Sequence, residues 1–282
     1  MKRPFAQAGW ISLLAAGLAG LVPAPAAVAL EPVAVYESWR GSSTLNSHRW
    51  LVREDGQNQE IALGIQGHRL HMRHRREGGG ASNAGATTGV QALLAQNPLS
   101  IERIEVDLQV HNLEVSGCAA NPGTTVVRPA RLALATFNDG GVGVGQIGDH
   151  VILILVSAPA DALEAGSVLT VEGDLARCVT ADCGATVSIA SAGTVTVPVS
   201  KPFTLRAAWD RANHQVFIGV SDHPDVALRY DAALDAARAR VPFAALRTAV
   251  TTANCTAAPT VADVELAVRE VRTNVSAIIP DR

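Results

Sequence analysis

Alternation of apolar and polar residues predicts β-strands along most of the chain. The clearest alternation covers 103–111, where even-numbered residues are apolar and odd-numbered residues are polar or charged. Because successive side chains of a strand point to opposite faces, this segment predicts a strand with one buried side. The apolar run Val151–Val156 predicts a strand buried on both faces. Similar patterns predict strands at 60–65, 68–75, 130–137, 168–175, 185–191, 194–199, 203–209, 216–220 and 264–268.

Helical patterning is confined to one segment. Residues 231–240 combine alanine with arginine and are followed by Pro242, which predicts one short helix. The glycine-rich segments 78–89 and 138–148 are expected to be loops, and neither has the length or charge of a domain linker. We therefore predict one all-β domain over 30–282, built as an antiparallel sandwich of two sheets.

The first 29 residues have the pattern of a secretory signal peptide. Lys2 and Arg3 precede a short apolar stretch that is followed by small residues, so we expect cleavage after Ala29. A retained membrane anchor is the alternative, but glycines interrupt the apolar stretch and prolines end it. The mature protein is expected to be secreted or periplasmic, without a transmembrane span.

Charge argues against a nucleic-acid partner. The predicted signal removes two cations and no carboxylate, which leaves 21 Lys and Arg against 26 Asp and Glu in the mature chain. A net negative chain has little general affinity for nucleic acid. Its cations are almost all arginine and alanine is abundant, which is typical of a GC-rich bacterial source.

All four cysteines lie in the part of the chain that is predicted to be exported. An even number in an oxidising compartment favours two disulfides, which three pairings could satisfy. Cys178 and Cys183 are close enough in sequence to clip a hairpin loop, which would leave Cys118 for Cys255. Zinc is the rival interpretation, but the cysteines are not spaced as paired zinc knuckles.

The order of these features resembles the concanavalin A-like lectin/glucanase jelly roll, a superfamily that includes LamG-like domains. The segments that carry the resemblance are, in chain order, Tyr36–Trp39, His48–Trp50, Ile65–Leu70, Phe203–Asp210, Val216–Ile218 and Ala262–Val271. The resemblance implies a two-sheet antiparallel jelly roll over nearly all of the mature chain. It implies a fold rather than a function.

Family 16 glycoside hydrolases share this jelly roll and place three carboxylates at alternate positions of one strand. The similar positions here are Glu105, Asp107 and Gln109, which a two-residue period puts on one face. Gln109 departs from the pattern because an amide cannot protonate a leaving oxygen, so His111 becomes the candidate acid on that face. The alternatives are an ordinary polar strand face and a sugar cleft without catalysis.

A second candidate site is a row of cations in the predicted strand 68–75. Its odd-numbered residues are Arg69, His71, Arg73 and Arg75, which could bind carboxylate or sulfate groups of an acidic polysaccharide. Alginate-type polysaccharide lyases share the jelly roll, and the pair Arg103 and Glu105 resembles their Arg/Glu strand, although their Gln-Ile-His triplet is missing. Surface arginines that balance neighbouring acids are the alternative.

Metal binding is expected at most as structural calcium, and no other cofactor is expected. Asp139, Asp222 and Asp225 lie in oxygen-rich turns of the kind that bind calcium, although turn geometry alone also favours aspartate. His68, His71 and His74 do not share one strand face, which argues against a three-histidine metal site.

The leading expectation from sequence is a secreted or periplasmic jelly-roll protein with a non-catalytic binding or surface role, with a glycan as the expected ligand. The first alternative is a polysaccharide-degrading enzyme, either a family 16-like hydrolase or a lyase. The second alternative is a structural envelope protein.

Overall fold

A computed structural model describes residues 32–56, 59–78, 85–118, 125–159, 168–199, 201–255 and 258–277. The predicted signal peptide, 1–29, lies outside these residues. Within them the chain forms two antiparallel sheets and three single turns of 3-10 helix. No helix in these ranges has the length and apolarity that crossing a membrane requires.

Sheet A contains eight of the strands. In spatial order they are β13 (Val226–Arg229), β12 (Gln215–Val220), β11 (Phe203–Asp210), β6 (Arg103–Val115), β16 (Val261–Thr273), β4 (Arg69–Glu77) and β3 (Gln59–Gln66), with β1 (Ala34–Glu37) paired to the end of β16.

Sheet B contains the other eight. In spatial order they are β10 (Thr186–Pro198), β9 (Val168–Cys178), β8 (Asp149–Pro159), β7 (Val126–Asn138), β15 (Ala244–Ala253), β5 (Gly85–Leu94) and β2 (Trp50–Asp55), with β14 (Ala237–Arg238) paired to β7. The predicted antiparallel two-sheet sandwich is confirmed.

The core lies between the two sheets and is filled mainly by aliphatic side chains. In β6 the even-numbered apolar residues Ile104, Val106 and Leu108 are at most 1% exposed, as the alternation in the sequence predicts. Trp50 and Trp209 are buried as well. One face of each sheet is thereby removed from water, which is the main source of stability in a sandwich.

The predicted helix at 231–240 is wrong. Only Ala232–Leu234 forms a 3-10 turn, which Asp231 caps, and the chain then pairs with β7 as β14. The carboxylate of Asp149 accepts hydrogen bonds from the backbone N–H of Arg240 at 2.8 Å and of Val241 at 3.1 Å. These tertiary bonds hold the backbone extended and override a helix propensity that is weak in so short a segment.

The predicted loop at 78–89 is wrong in its second half, because β5 begins at Gly85. Residues 85–93 pair along the whole length of β15. Thr88 in this strand is buried and lies 2.9 Å from Nε2 of His74 in the core. Small residues are compatible with a strand here because neighbouring strands supply the backbone hydrogen bonds.

Two disulfides join the cysteines. One links Cys118 to Cys255 across 137 residues, and the other links Cys178 to Cys183 across five. The first bridge ties the end of β6 in sheet A to the end of β15 in sheet B. The second closes the loop after β9.

Candidate functional site

The candidate site lies on the polar face of sheet A, by which we mean the face turned away from the core. Strand pairing aligns Gly64, His71, Ala267 and Gln109 in one row across four strands. Ala267 has the smallest side chain between two larger polar ones, so it forms a floor flanked by His71 on β4 and Gln109 on β6. The odd-numbered residues of β6 and β4 share this face, as their alternation predicts.

Both carboxylates of β6 are held in ion pairs. Glu105 is only 8% exposed, and its carboxylate lies 2.7 Å from Arg103 and 3.5 Å from Arg272. Asp107 lies 2.9 Å from Arg272 and accepts a hydrogen bond from the hydroxyl of Thr204 at 2.7 Å. Neither carboxylate is therefore a free group poised for nucleophilic attack.

The cationic row of β4 divides into two parts. Arg73 pairs with the buried Asp263 at 2.5 Å, and Arg75 pairs with Glu77 at 2.6 Å, so these two guanidiniums balance neighbouring acids. Arg69 instead donates to the amide oxygen of Gln109 at 3.2 Å. Of the three arginines in this row, Arg69 is therefore the one whose guanidinium is best placed to bind a carboxylate of a ligand.

A histidine pair stands beside Arg69. Nδ1 of His71 lies 2.7 Å from Oε1 of Glu265, and the ring centroids of His71 and His111 are 5.8 Å apart. Nη1 of Arg69 is 3.4 Å from Nε2 of His111. A carboxylate that binds Nδ1 fixes the tautomer of a histidine and leaves Nε2 to exchange a proton.

A pocket of about 190 Å³ lies on the Arg69 and Gln109 side of this cluster, and His71, His111 and Glu265 are outside its lining. Arg69, Gln109 and Ala267 line one side of it, and Asp107 and the exposed Arg269 line it as well. The pocket therefore offers two guanidiniums, an amide and a carboxylate around an alanine floor. Such a set suits a sugar ring that carries a carboxylate.

Two of the three calcium candidates are engaged in ion pairs. Asp139 lies 2.6 Å from Arg177, and Asp225 lies 2.6 Å from Arg206. Asp222 is exposed in the turn between β12 and β13. Among the described residues, no group of three or more His, Cys, Asp or Glu side chains is arranged to hold a metal ion.

Sequence reasoning missed four residues that shape this site: Glu265, Arg269, Arg272 and Asp263. All four belong to β16, which the sequence marks as a strand through Val264, Leu266 and Val268. The two-residue period could have placed Asp263 and Glu265 on the opposite, polar face. It could not show that β16 lies between β4 and β6, because strand order is not encoded in local alternation.

Comparison with known proteins gives matches only among solved structures. No protein-family model matches the chain, and none of the curated proteins matches it. LamAcat from Zobellia galactanivorans is 8% identical over 84% of this chain and 95% of that one, with a TM-score of 0.47. A laminarinase from Flavobacterium sp. UMI-01 is 13% identical over 84% and 97%, with a TM-score of 0.46. A family 16 glycoside hydrolase from Bacteroides ovatus, solved with a glucan product, is 9% identical over 84% and 98%, with a TM-score of 0.43.

The two-sheet antiparallel sandwich that the jelly-roll resemblance implies is present in the strand order of this chain. The expectation of a non-catalytic binding role is corrected, because the compared structures are named as glycan-cleaving enzymes and not as binding proteins. At identities of 8% to 13% and TM-scores of 0.43 to 0.47, these likenesses carry no argument about the reaction of this chain. The reaction has to be argued from the residues of this chain.

Proposed function

We propose that this chain is an exported polysaccharide-degrading enzyme that cleaves an acidic polysaccharide by elimination at the polar face of sheet A. The observation that carries the proposal is the contact of 2.7 Å between His71 and Glu265, next to the guanidinium of Arg69. A carboxylate-oriented histidine beside a fixed cation is the minimal machinery for removing a proton next to a sugar carboxylate.

Elimination needs three functions around one uronate ring. A base removes the proton from the carbon that bears the carboxylate, the electron pair forms a carbon–carbon double bond, and the glycosidic oxygen leaves from the next carbon and takes a proton. A cation near the carboxylate stabilises the negative charge that builds up on it in the transition state. No oxidant, reductant or metal is required for the electrons to balance.

The residues of this face can be assigned to these functions. Arg69 and Arg269 bind the substrate carboxylate from the pocket, because a guanidinium matches a carboxylate with two parallel hydrogen bonds. His71 acts as the base through Nε2, with Glu265 as its positioning residue. His111, which is exposed and next to His71, supplies the proton to the leaving oxygen through Nδ1, because Nε2 faces the guanidinium of Arg69, which can only donate.

Hydrolysis by a retaining mechanism fits the same face less well. That reaction needs one ionised carboxylate that can attack and one protonated acid about 5 to 5.5 Å away. Glu105 and Asp107 are both paired with Arg272, and the third position is the amide of Gln109. Elimination uses groups that this face leaves available, whereas hydrolysis would first have to free a carboxylate from an arginine.

The test is an assay of cleavage on uronate-containing polysaccharides and on neutral β-glucans. Elimination creates a double bond conjugated to the carboxylate, which absorbs ultraviolet light, whereas hydrolysis creates only a reducing end. We expect His71→Gln to lower kcat by about 10²- to 10⁴-fold. Glu265→Gln should lower kcat with little change in KM, because Glu265 orients the base and does not bind substrate.

The matched control is His48→Gln. His48 is exposed and precedes β2 of sheet B, so this change should leave kcat and KM unchanged. If the products carry new reducing ends but no double bond, and Glu105→Gln abolishes their formation, the reaction is hydrolysis and the elimination mechanism is wrong. Absence of cleavage on all polysaccharides of both classes would overturn the proposal.

A further inference from the structure

A second cluster of arginines lies on the outer face of sheet B, the face of that sheet turned away from the core. Strand pairing places Arg247 of β15 between Gln91 of β5 and Arg131 of β7. Arg128 of β7 pairs with Ala249, two residues along β15 from Arg247. Three guanidiniums from two adjacent strands thus converge on one area of the sheet, on the opposite side of the sandwich from His71.

These arginines are poorly neutralised. Arg247 has one ion pair, with Asp55 at 3.2 Å, and Arg128 donates to the hydroxyl of Thr251 at 2.9 Å. Within the described ranges, the guanidinium of Arg131 has no hydrogen bond or ion pair with a protein group. This contrasts with sheet A, where Arg73 and Arg75 each have a carboxylate partner.

The three guanidiniums are also partly withdrawn from water. Arg128, Arg131 and Arg247 are all half-buried. Burial, followed by repulsion from Arg247, lowers the pKa of both Arg128 and Arg131 below the ordinary value for arginine. A desolvated cation without a partner destabilises a folded protein, so this arrangement is costly in the free protein.

The backbone is shaped to admit the Arg247 guanidinium. Gly89 lies beside it on β5, and a Cβ added to Gly89 would come within 2.6 Å of Nε of Arg247. Nε of Arg247 is buried and has no hydrogen-bond partner. A side chain at position 89 would therefore displace the flexible Arg247 side chain from its present position.

We propose that Arg128, Arg131 and Arg247 form a binding site for a doubly charged tetrahedral oxyanion of the sulfate or phosphate class. The three cations outnumber the two carboxylates that act on them, Asp55 and Glu172, so the cluster keeps a net positive charge that an anion would offset. Guanidiniums that approach from two strands can donate to several oxygens of one tetrahedral group, and the amide of Gln91 adds a donor in the same row. A free inorganic ion and an ester on a sugar present the same chemistry.

The experiment measures the thermal midpoint of the full chain in sodium sulfate, in sodium phosphate and in sodium chloride at matched ionic strength. We expect sulfate or phosphate to raise the midpoint beyond the effect of chloride, and to do so less in Arg131→Met. Exclusion of these salts from the surface stabilises both proteins alike, whereas a ligand that binds only the folded state acts through the site. Titration calorimetry with inorganic sulfate and with a sulfated monosaccharide distinguishes a free ion from a sugar ester, and tighter binding of the sugar assigns the ester.

The decisive variant is Arg131→Met, which keeps an unbranched, flexible side chain and removes the guanidinium and its charge. We expect it to raise the midpoint in chloride, because an unpaired desolvated cation is gone, and to weaken sulfate binding by about tenfold or more. Gly89→Ala should also weaken binding while leaving every arginine in place, by displacing Arg247.

The matched control is Arg73→Met on sheet A. It should lower the midpoint, because the buried Asp263 loses its partner, and it should leave the sulfate effect unchanged.

The proposal is overturned if sulfate and phosphate stabilise the unmodified protein no more than chloride does. The proposal is overturned as well if sulfate raises the midpoint of Arg131→Met by as much as that of the unmodified protein. Arg131→Met should retain the cleavage activity proposed for sheet A, so the two proposals can fail separately.

Discussion

His74 is expected to make this protein lose stability as the pH falls from neutral. His74 lies in β4 with its side chain in the core, where it is 0% exposed, and Nε2 is 2.9 Å from the hydroxyl of Thr88. Burial penalises the charged imidazolium and lowers the pKa of His74 from 6.5 to about 4. The folded protein therefore keeps His74 neutral at pH values where the unfolded chain protonates it.

The sign and size of the effect follow from this difference. Between pH 6.5 and about 4 the unfolded state binds more protons at this position than the folded state, so acidification favours unfolding. The stabilising contribution is complete above pH 6.5 and is lost as the pH falls toward about 4. At about 1.4 kcal/mol for each pH unit, His74 accounts for a loss of about 3 kcal/mol in the free energy of unfolding.

The assay is urea unfolding followed by circular dichroism at several pH values between neutral and about 4. Other groups titrate in the same range, so the informative quantity is the difference between the unmodified protein and His74→Gln, which can still hydrogen-bond Thr88. We expect the variant to lose about 3 kcal/mol less on acidification than the unmodified protein.

His48→Gln is the matched control, because His48 is exposed and its removal should leave the pH dependence unchanged. If His74→Gln and the unmodified protein lost stability in parallel as the pH fell, the reasoning from burial would be refuted. A constant difference in stability between the two proteins is the form that this result would take, because only a change in the slope of stability against pH measures proton binding at His74.

Two further predictions concern the covalent state of the chain. Replacing Cys118 and Cys255 by serine should lower the free energy of unfolding by about 5 kcal/mol by the loop-closure estimate, whereas the same change at Cys178 and Cys183 should cost about 2 kcal/mol, because the first bridge closes the much longer loop. Equal losses would contradict this account. If export removes the signal, the amino-terminal sequence of the mature protein should begin at Leu30, and a chain beginning at residue 1 would refute cleavage.

Several features of the fold could be predicted because they depend on local pattern. The alternation in 103–111 is sufficient to predict a strand, its buried face and the shared direction of Glu105, Asp107 and Gln109. Side-chain direction along a strand has a fixed period of two, so it requires no knowledge of the neighbours. The prediction of a helix at 231–240 was wrong because this segment depends on a distant contact. The backbone of Arg240 is held by Asp149, which lies 91 positions away in the sequence.

The candidate sites depend on strand order, which only the tertiary structure decided. The sequence by itself determined that His71 and Glu265 would lie on polar faces of strands, but they are 194 residues apart and meet only because β16 pairs with β4. Likewise Arg131 and Arg247 lie on separate strands whose register brings them side by side. Local alternation fixes which face a side chain occupies, whereas pairing between distant strands depends on how the whole core packs, and it is this pairing that assembles charges into a site.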